Sequence, residues 1–245
     1  MRTSISPKQP ERYQGRVIVD SRYASEFDEE MFTPDYWRAR QSVQGPEGGR
    51  GQVLFLNRDS EQWVLRHYHR GGMMSRPLQD RYLWTGIERT RSLREWRLLA
   101  QLHDEGLPVP RPVAARHVRE GIYYRADLLT VRIPNVRAFS EIVAEQLPPA
   151  EAWRAIGACI RRFHDAGIYH ADLNAHNILM DNGLKEVYIV DFDRGRRRHD
   201  GRWRRSNLKR LNRSLHKIGL SLSIPEFEQV QWPALMDGYG SWTRA

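Results

Sequence analysis

Residues 170–179 read HADLNAHNIL and residues 187–193 read VYIVDFD. Together they set out three oxygen-bearing side chains, Asp172, Asn177 and Asp191. Asp172 follows a helix-like run and a short strand, has no basic neighbour in sequence, and is placed to accept a proton. Asn177 lies where its amide oxygen can ligate a hard cation. Asp191 closes the apolar run VYIV, so its carboxylate is expected at the end of a buried strand. A carboxylate base with amide and carboxylate oxygen ligands is the set that Mg²⁺–nucleotide chemistry uses.

The remainder of the chain limits what can surround this set. Its 245 residues suit one large domain or two small ones. Aromatic content of 10%, with eight Trp, excludes a disordered chain. A single cysteine, Cys159, excludes a disulfide scaffold and a cysteine metal site and fits a reducing compartment. Mean hydropathy is −0.69, no apolar run is long enough to span a bilayer, and Met1–Pro10 lacks the apolar centre of a signal peptide. The expectation is a cytosolic globular protein. Its net charge of +9 is concentrated: residues 194–217 carry eleven Lys/Arg against the single acid Asp200. That segment should meet a polyanion, whether nucleic acid, an anionic membrane or a phosphorylated ligand.

Along the chain, Tyr13–Asp20 reads as a strand and Ser25–Arg40 as irregular helix. A glycine cluster (Gly45, Gly48, Gly49, Gly51) then leads into the alternating run VLFL, and after Asn57–Ser60 the stretch Gln62–Tyr68 forms the second arm of a hairpin. Ser92–Asp104 has helical spacing of Leu93, Trp96, Leu99 and Ala100, closed by Gly106 and Pro108. Val113–Val118 and Ile122–Val131 pair around Glu120-Gly121, and Ile133-Pro134-Asn135 breaks the pattern. Pro149–Ala166 is an amphipathic helix with Trp153, Ile156, Ile160 and Phe163 on one stripe, followed by two short strands and a helical tail. The fold class is α+β, strand-rich in front and mainly helical behind.

The pattern H-x-D-x-x-x-x-N followed by D-F-x resembles the protein-kinase-like fold. The resemblance implies an N-lobe over 1–132, holding the Gly-rich loop, the nucleotide-binding strands and helix C. It implies a C-lobe over 133–245 with the catalytic loop, the metal site and the basic segment 194–217. ATP is then the substrate nucleotide and Mg²⁺ the metal, with Asp172 as catalytic base and Asn177 and Asp191 as metal ligands. Gly45, Gly48, Gly49 and Gly51 would cradle phosphates, and Glu95 would stand in the place of the helix-C glutamate. Two departures are informative. No lysine occurs between Gln9 and Leu184, so Arg66 is the substitute for the usual strand lysine, with His67 and Arg70 next in line. Asp193 stands where protein kinases have glycine, and no A-P-E-like stretch follows. Both features favour a small-molecule acceptor.

LRHYHRGG (Leu65–Gly72), GLPVPRPVAAR (Gly106–Arg116), HADLNAHNIL and DFDRGR (Asp191–Arg196) further resemble the 3-deoxy-D-manno-octulosonic acid (Kdo) kinases of lipopolysaccharide assembly. That resemblance implies phosphorylation of the 4-hydroxyl of Kdo on a lipid A precursor, by a peripheral protein at the cytoplasmic face of a Gram-negative inner membrane. Arg194, Arg196, Arg202, Arg204, Arg205 and Arg210 become contacts to the acceptor or the anionic membrane. Arg194 and Arg196 suit a carboxylate, and Trp203 is either core or an interfacial anchor. His170 is expected to hold the loop rather than act as a base. The competing classes are another kinase of the same fold, such as a heptose kinase, a basic nucleic-acid-binding protein, and a catalytically dead scaffold. No nucleic-acid motif is present, so no nucleic-acid partner is expected.

Overall fold

The computed structural model describes residues 11–14, 16–44, 53–58, 60–69, 80–221 and 227–240. It divides into two compact units, Met1–Trp96 with Arg111–Arg132, and Arg97–Pro110 with Ile133–Ala245.

The first unit is built on an antiparallel sheet. Its elements are β1 (Glu11–Gln14), β2 (Val17–Asp20), α1 (Pro34–Arg38), β3 (Val43–Gln44), β4 (Val53–Arg58), β5 (Glu61–His67), β6 (Tyr82–Leu83), the start of α2 (Arg91–Asp104), β7 (Pro112–Glu120) and β8 (Tyr123–Val131). The strands run in the order β1-β2-β7-β8-β5-β4-β3, with β6 pairing β8. Tyr13–Asp20 is a two-strand hairpin, Gln14 opposite Val17, rather than one strand. In β5, Trp63 and Leu65 are buried while their neighbours are less so, the period-two pattern of a strand facing one core. Trp63 is fully buried and meets Tyr23 and Trp37 edge-on at 5.1 and 6.0 Å.

The second unit contains β9 (Val136–Ala138), α3 (Phe139–Glu145), α4 (Ala150–Asp165), β10 (Ile168–Tyr169), β11 (Ile178–Asp181), β12 (Val187–Ile189), β13 (Arg196–Arg197), α5 (Trp203–Ser221) and α6 (Trp232–Tyr239). β9, β11 and β12 form one small sheet and β10 pairs β13 in another. Trp153, Ile156, Ile160 and Phe163 of α4 are all buried, each contributing about 1.5–3 kcal/mol. α4 and α6 touch backbone to backbone. A Cβ on Gly157 would lie 1.9 Å from the Leu235 carbonyl, and one on Gly238 would lie 2.0 Å from the Arg154 carbonyl. Segment 97–110, which the sequence reading keeps with 1–132, lies with this unit because its backbone is bonded there. Ile189 N–H donates to the Pro108 carbonyl at 3.0 Å and Arg162 donates to the Gly106 carbonyl at 3.0 Å.

Candidate active site

The loop after β10 is organised by His170, a residue only 4% exposed. Its Nδ1 accepts from the Asp172 N–H at 3.1 Å, and its Nε2 bonds the Val190 carbonyl at 3.0 Å. Those two bonds define a neutral ring protonated at Nε2, and burial pushes its pKa down in agreement. Val190 is held at its other polar atom as well, its N–H donating to the Asn177 carbonyl at 3.0 Å. The end of β12 is thus tied to both halves of the loop, and Asp172, Asn177 and Asp191 are gathered by one web of bonds. The holding role expected of His170 is what the geometry shows.

Asn174 shapes the loop locally. Its Oδ1 accepts from the N–H groups of His176 (2.8 Å) and Asn177 (3.2 Å), capping the single 3₁₀ turn Ala175–Asn177. Its Nδ2 donates to Oδ2 and to the carbonyl of Asp172, both at 3.1 Å. The Asn177 Nδ2 also donates to the Asp172 carbonyl, at 2.9 Å, which orients its amide oxygen as the end offered to a cation. Asp191 has φ +63°, a left-handed conformation that costs a non-glycine residue of order 1 kcal/mol and collects at functional sites. Among the described residues no three His, Cys, Asp or Glu side chains cluster as a metal site. A carboxylate and an amide oxygen nevertheless fit Mg²⁺, which keeps several waters and takes further oxygens from substrate phosphates.

α5 is fastened to this loop by residues the sequence reading missed. Asn207, buried, accepts from the His170 N–H at 3.2 Å and donates to the His170 carbonyl at 2.7 Å. Ser214 Oγ accepts from the Ala175 N–H at 3.2 Å. Between them Arg210 places its guanidinium 3.1 Å from Asp172 Oδ1. Spacing of three and four residues puts all three on one helix face, the only advance signal available.

In the first unit, Arg66 of β5 donates to Glu95 of α2 at 2.5 Å, and the Tyr68 hydroxyl donates to the same carboxylate oxygen at 2.6 Å. Glu95 is buried, so the pair is a desolvated one. Burial, followed by the Glu95 charge, raises the Tyr68 pKa. His67, the second candidate, is engaged elsewhere, with Asp127 at 2.6 Å and Asp80 at 3.5 Å. Gly45, Gly48, Gly49, Gly51 and Arg70 lie outside the described residues.

The basic segment needs correction at one position, Arg204. Of the two readings of Trp203 the structure shows core: it is buried against His164 and Tyr169 and donates to the His199 carbonyl at 2.7 Å. Arg204 is 12% exposed at its side chain and pairs with Asp200 (2.9 Å) and Asp165 (3.4 Å), an internal crosslink rather than a surface contact. Arg210 pairs with Asp172. Arg194, Arg196, Arg202 and Arg205 are exposed, and Arg196 lies over the Tyr169 ring at 5.6 Å.

The profile of the lipopolysaccharide kinase (Kdo/WaaP) family matches residues 34–239. The chain belongs to that family. It is 43% identical over 213 residues to 3-deoxy-D-manno-octulosonic acid kinase of Vibrio parahaemolyticus serotype O3:K6, covering 84% of this chain and 89% of the relative. The kinase of the same description from Xanthomonas axonopodis pv. citri is 46% identical over 218 residues (88% and 86% covered). That of Stenotrophomonas maltophilia R551-3 is 42% identical over 229 residues (92% and 90%). Among solved structures, WaaP in complex with acyl carrier protein matches with a TM-score of 0.54 at 17% identity, covering 91% of this chain and 88% of that one. The likeness shows a shared fold, the α+β kinase-like class expected from HADLNAHN and DFD. As a member of a lipopolysaccharide kinase family the chain is a phosphotransferase acting on a hydroxyl group. No helix among the described residues is long and apolar enough to cross a membrane.

Proposed function

We propose that this protein transfers the γ-phosphoryl group of ATP to the 4-hydroxyl of Kdo on a lipid A precursor, in lipopolysaccharide inner-core biosynthesis. The observation that supports the reading is the His170–Val190–Asn177 web, which ties the loop bearing Asp172 and Asn177 to the residue before Asp191, in a chain 42–46% identical to named Kdo kinases. Asp172 orients the acceptor hydroxyl and takes its proton as the oxygen attacks γ-phosphorus and the bond to the ADP oxygen breaks. Asn177 and Asp191 hold Mg²⁺, which when bound neutralises charge on the phosphate oxygens. Arg66, fixed by Glu95, supplies the fork that meets the nucleotide phosphates, and Gly45, Gly48, Gly49 and Gly51 supply backbone N–H groups to the same anion.

The enzyme works as a peripheral protein at the cytoplasmic face of the inner membrane. Exposed Arg202 and Arg205 are the contacts to its anionic surface, each adding about 1 kcal/mol at low salt. Incubating the protein with labelled ATP, Mg²⁺ and Kdo–lipid A precursors, then mapping the phosphate, tests the reading. Label at the Kdo 4-hydroxyl is expected. Label on heptose alone, or none without another acceptor, would refute it.

A further inference from the structure

The residues of α5 that face the catalytic loop open onto a cavity of about 220 Å³, lined by Tyr169, Ser206, Asn207, Lys209, Arg210 and Arg213. That is room for a single anionic group such as a carboxylate, smaller than the roughly 300–1,000 Å³ of a site that encloses a whole small ligand. The lining has three cationic side chains and no acidic one, so its preferred occupant is an anion. Two further arginines, Arg196 and Arg198, stand over the Tyr169 ring at 5.6 and 5.2 Å and extend the positive wall.

Arg210 connects this cavity to the chemistry. One guanidinium nitrogen lies 3.1 Å from Asp172 Oδ1, and the group has five N–H donors in a rigid plane. Only part of that fork is spent on Asp172; the same side chain lines the cavity. The helix that carries it is held against the loop one turn to either side, through Asn207 and Ser214. A carboxylate held by the remaining edge of Arg210 would sit a short distance from the base.

We propose that this cavity is the subsite for the carboxylate of a sugar acid, and that Arg210 selects which hydroxyl is phosphorylated. The assignment rests on the sugar-acid acceptor of the preceding section. In Kdo the carboxyl group is borne by ring carbon 2 and the accepting hydroxyl by ring carbon 4, one methylene apart. A single arginine that touches both the carboxylate and Asp172 brings that hydroxyl to the base and leaves the hydroxyl on carbon 5 a bond further away. Arg194 and Arg196 then belong to the approach to the cavity, with Lys209 and Arg213 as its electrostatic floor.

The test compares the Kdo glycolipid acceptor with its carboxyl methyl ester and with its dephosphorylated form, in wild type, Arg210→Lys and Arg210→Gln. Wild type should lose about 10- to 100-fold in kcat/KM on esterification, the worth of one charge-assisted contact, and little on dephosphorylation. Arg210→Gln should treat acid and ester alike and spread the label between the 4- and 5-hydroxyls, while KM for ATP is kept. Arg210→Lys should restore part of the discrimination. Because each variant is judged on its own acid-to-ester ratio, a general loss of activity does not blur the result. If Arg210→Gln discriminates as strongly as wild type, the subsite is wrong while the kinase reading stands. If dephosphorylation rather than esterification gives the Arg210-dependent loss, the cavity reads a phosphate and the assignment is wrong. If wild type labels none of the three acceptors, the proposed function falls and the subsite with it.

Discussion

Replacing His170 by Phe keeps a ring of similar size against Phe192, whose centroid is 4.8 Å away, and removes two hydrogen bonds. The Asp172 N–H and the Val190 carbonyl are left without their partner. Each orphaned buried group costs about 1–3 kcal/mol, the lower figure applying on the Asp172 side, where water can reach. The sum, about 2–4 kcal/mol, leaves a protein of ordinary stability folded. Activity should suffer out of proportion, since a shift of about 1 Å in a positioned base can cost on the order of 10²-fold in rate. Urea unfolding with an unchanged m-value would measure the first effect. Single-turnover phosphoryl transfer under conditions where the variant is folded would measure the second. Turnover within about twofold of wild type, in a folded variant, would show that Asp172 does not depend on this bond and would refute the reasoning.

Asp172→Ala should lower turnover roughly 10²–10⁴-fold with nearly unchanged ATP affinity; unchanged turnover in steady-state assays would remove it as the base. Arg66→Ala should weaken ATP handling and also destabilise the fold by about 3 kcal/mol, because it takes the cationic partner at 2.5 Å from the Glu95 carboxylate, 1% exposed. Arg66→Lys should recover part of both losses in ATP titration and denaturation. Burial lowers the His164 pKa to about 4, so the ring is neutral in the folded protein and its unfolded counterpart charges below about 6.5. The stability it provides is complete above pH 6.5 and is lost as pH falls towards 4, at about 1.4 kcal/mol per unit. His164→Asn, which keeps a bond to the Tyr239 hydroxyl now made at 2.8 Å, should therefore lose about 2 kcal/mol less than wild type between pH 7 and pH 5. Parallel pH dependences in urea titrations would show that the ring is not held neutral.

The parts that local chemistry determines were legible beforehand. The α4 stripe follows from 3.6-residue periodicity, the hairpin of β4 and β5 from alternation, and the turn that holds Asp172 and Asn177 close to the end of β12 from the pattern HADLNAHN and DFD. Contacts between distant segments were not. Asn207 looks like any polar residue on a basic helix until His170, 37 positions earlier, is seen bonded to it at both backbone atoms. Charge counting credited Arg204 to an acceptor or membrane contact and gave no sign of the ion pairs that Arg204 and Arg210 make, because sequence shows how many cations a segment holds and not which carboxylates they meet. Asp165 and Asp172 lie 39 and 38 residues away from them. Trp203 stayed open between core and interfacial anchor for the same reason: its neighbours in sequence are arginines, and its neighbours in space, which make it core, are His164 and Tyr169.

Val190 is bonded at both of its backbone polar atoms, and two residues later Phe192 is 1% exposed, stacked on Phe163 at 5.7 Å. Swinging the Asp191 segment away from the loop would break two backbone bonds and bring an aromatic side chain into water. That rearrangement costs about 4–6 kcal/mol, so roughly one molecule in a thousand or fewer would be in such a form. The fold itself therefore sets the posture of the Asp191 turn, before anything is bound beside it.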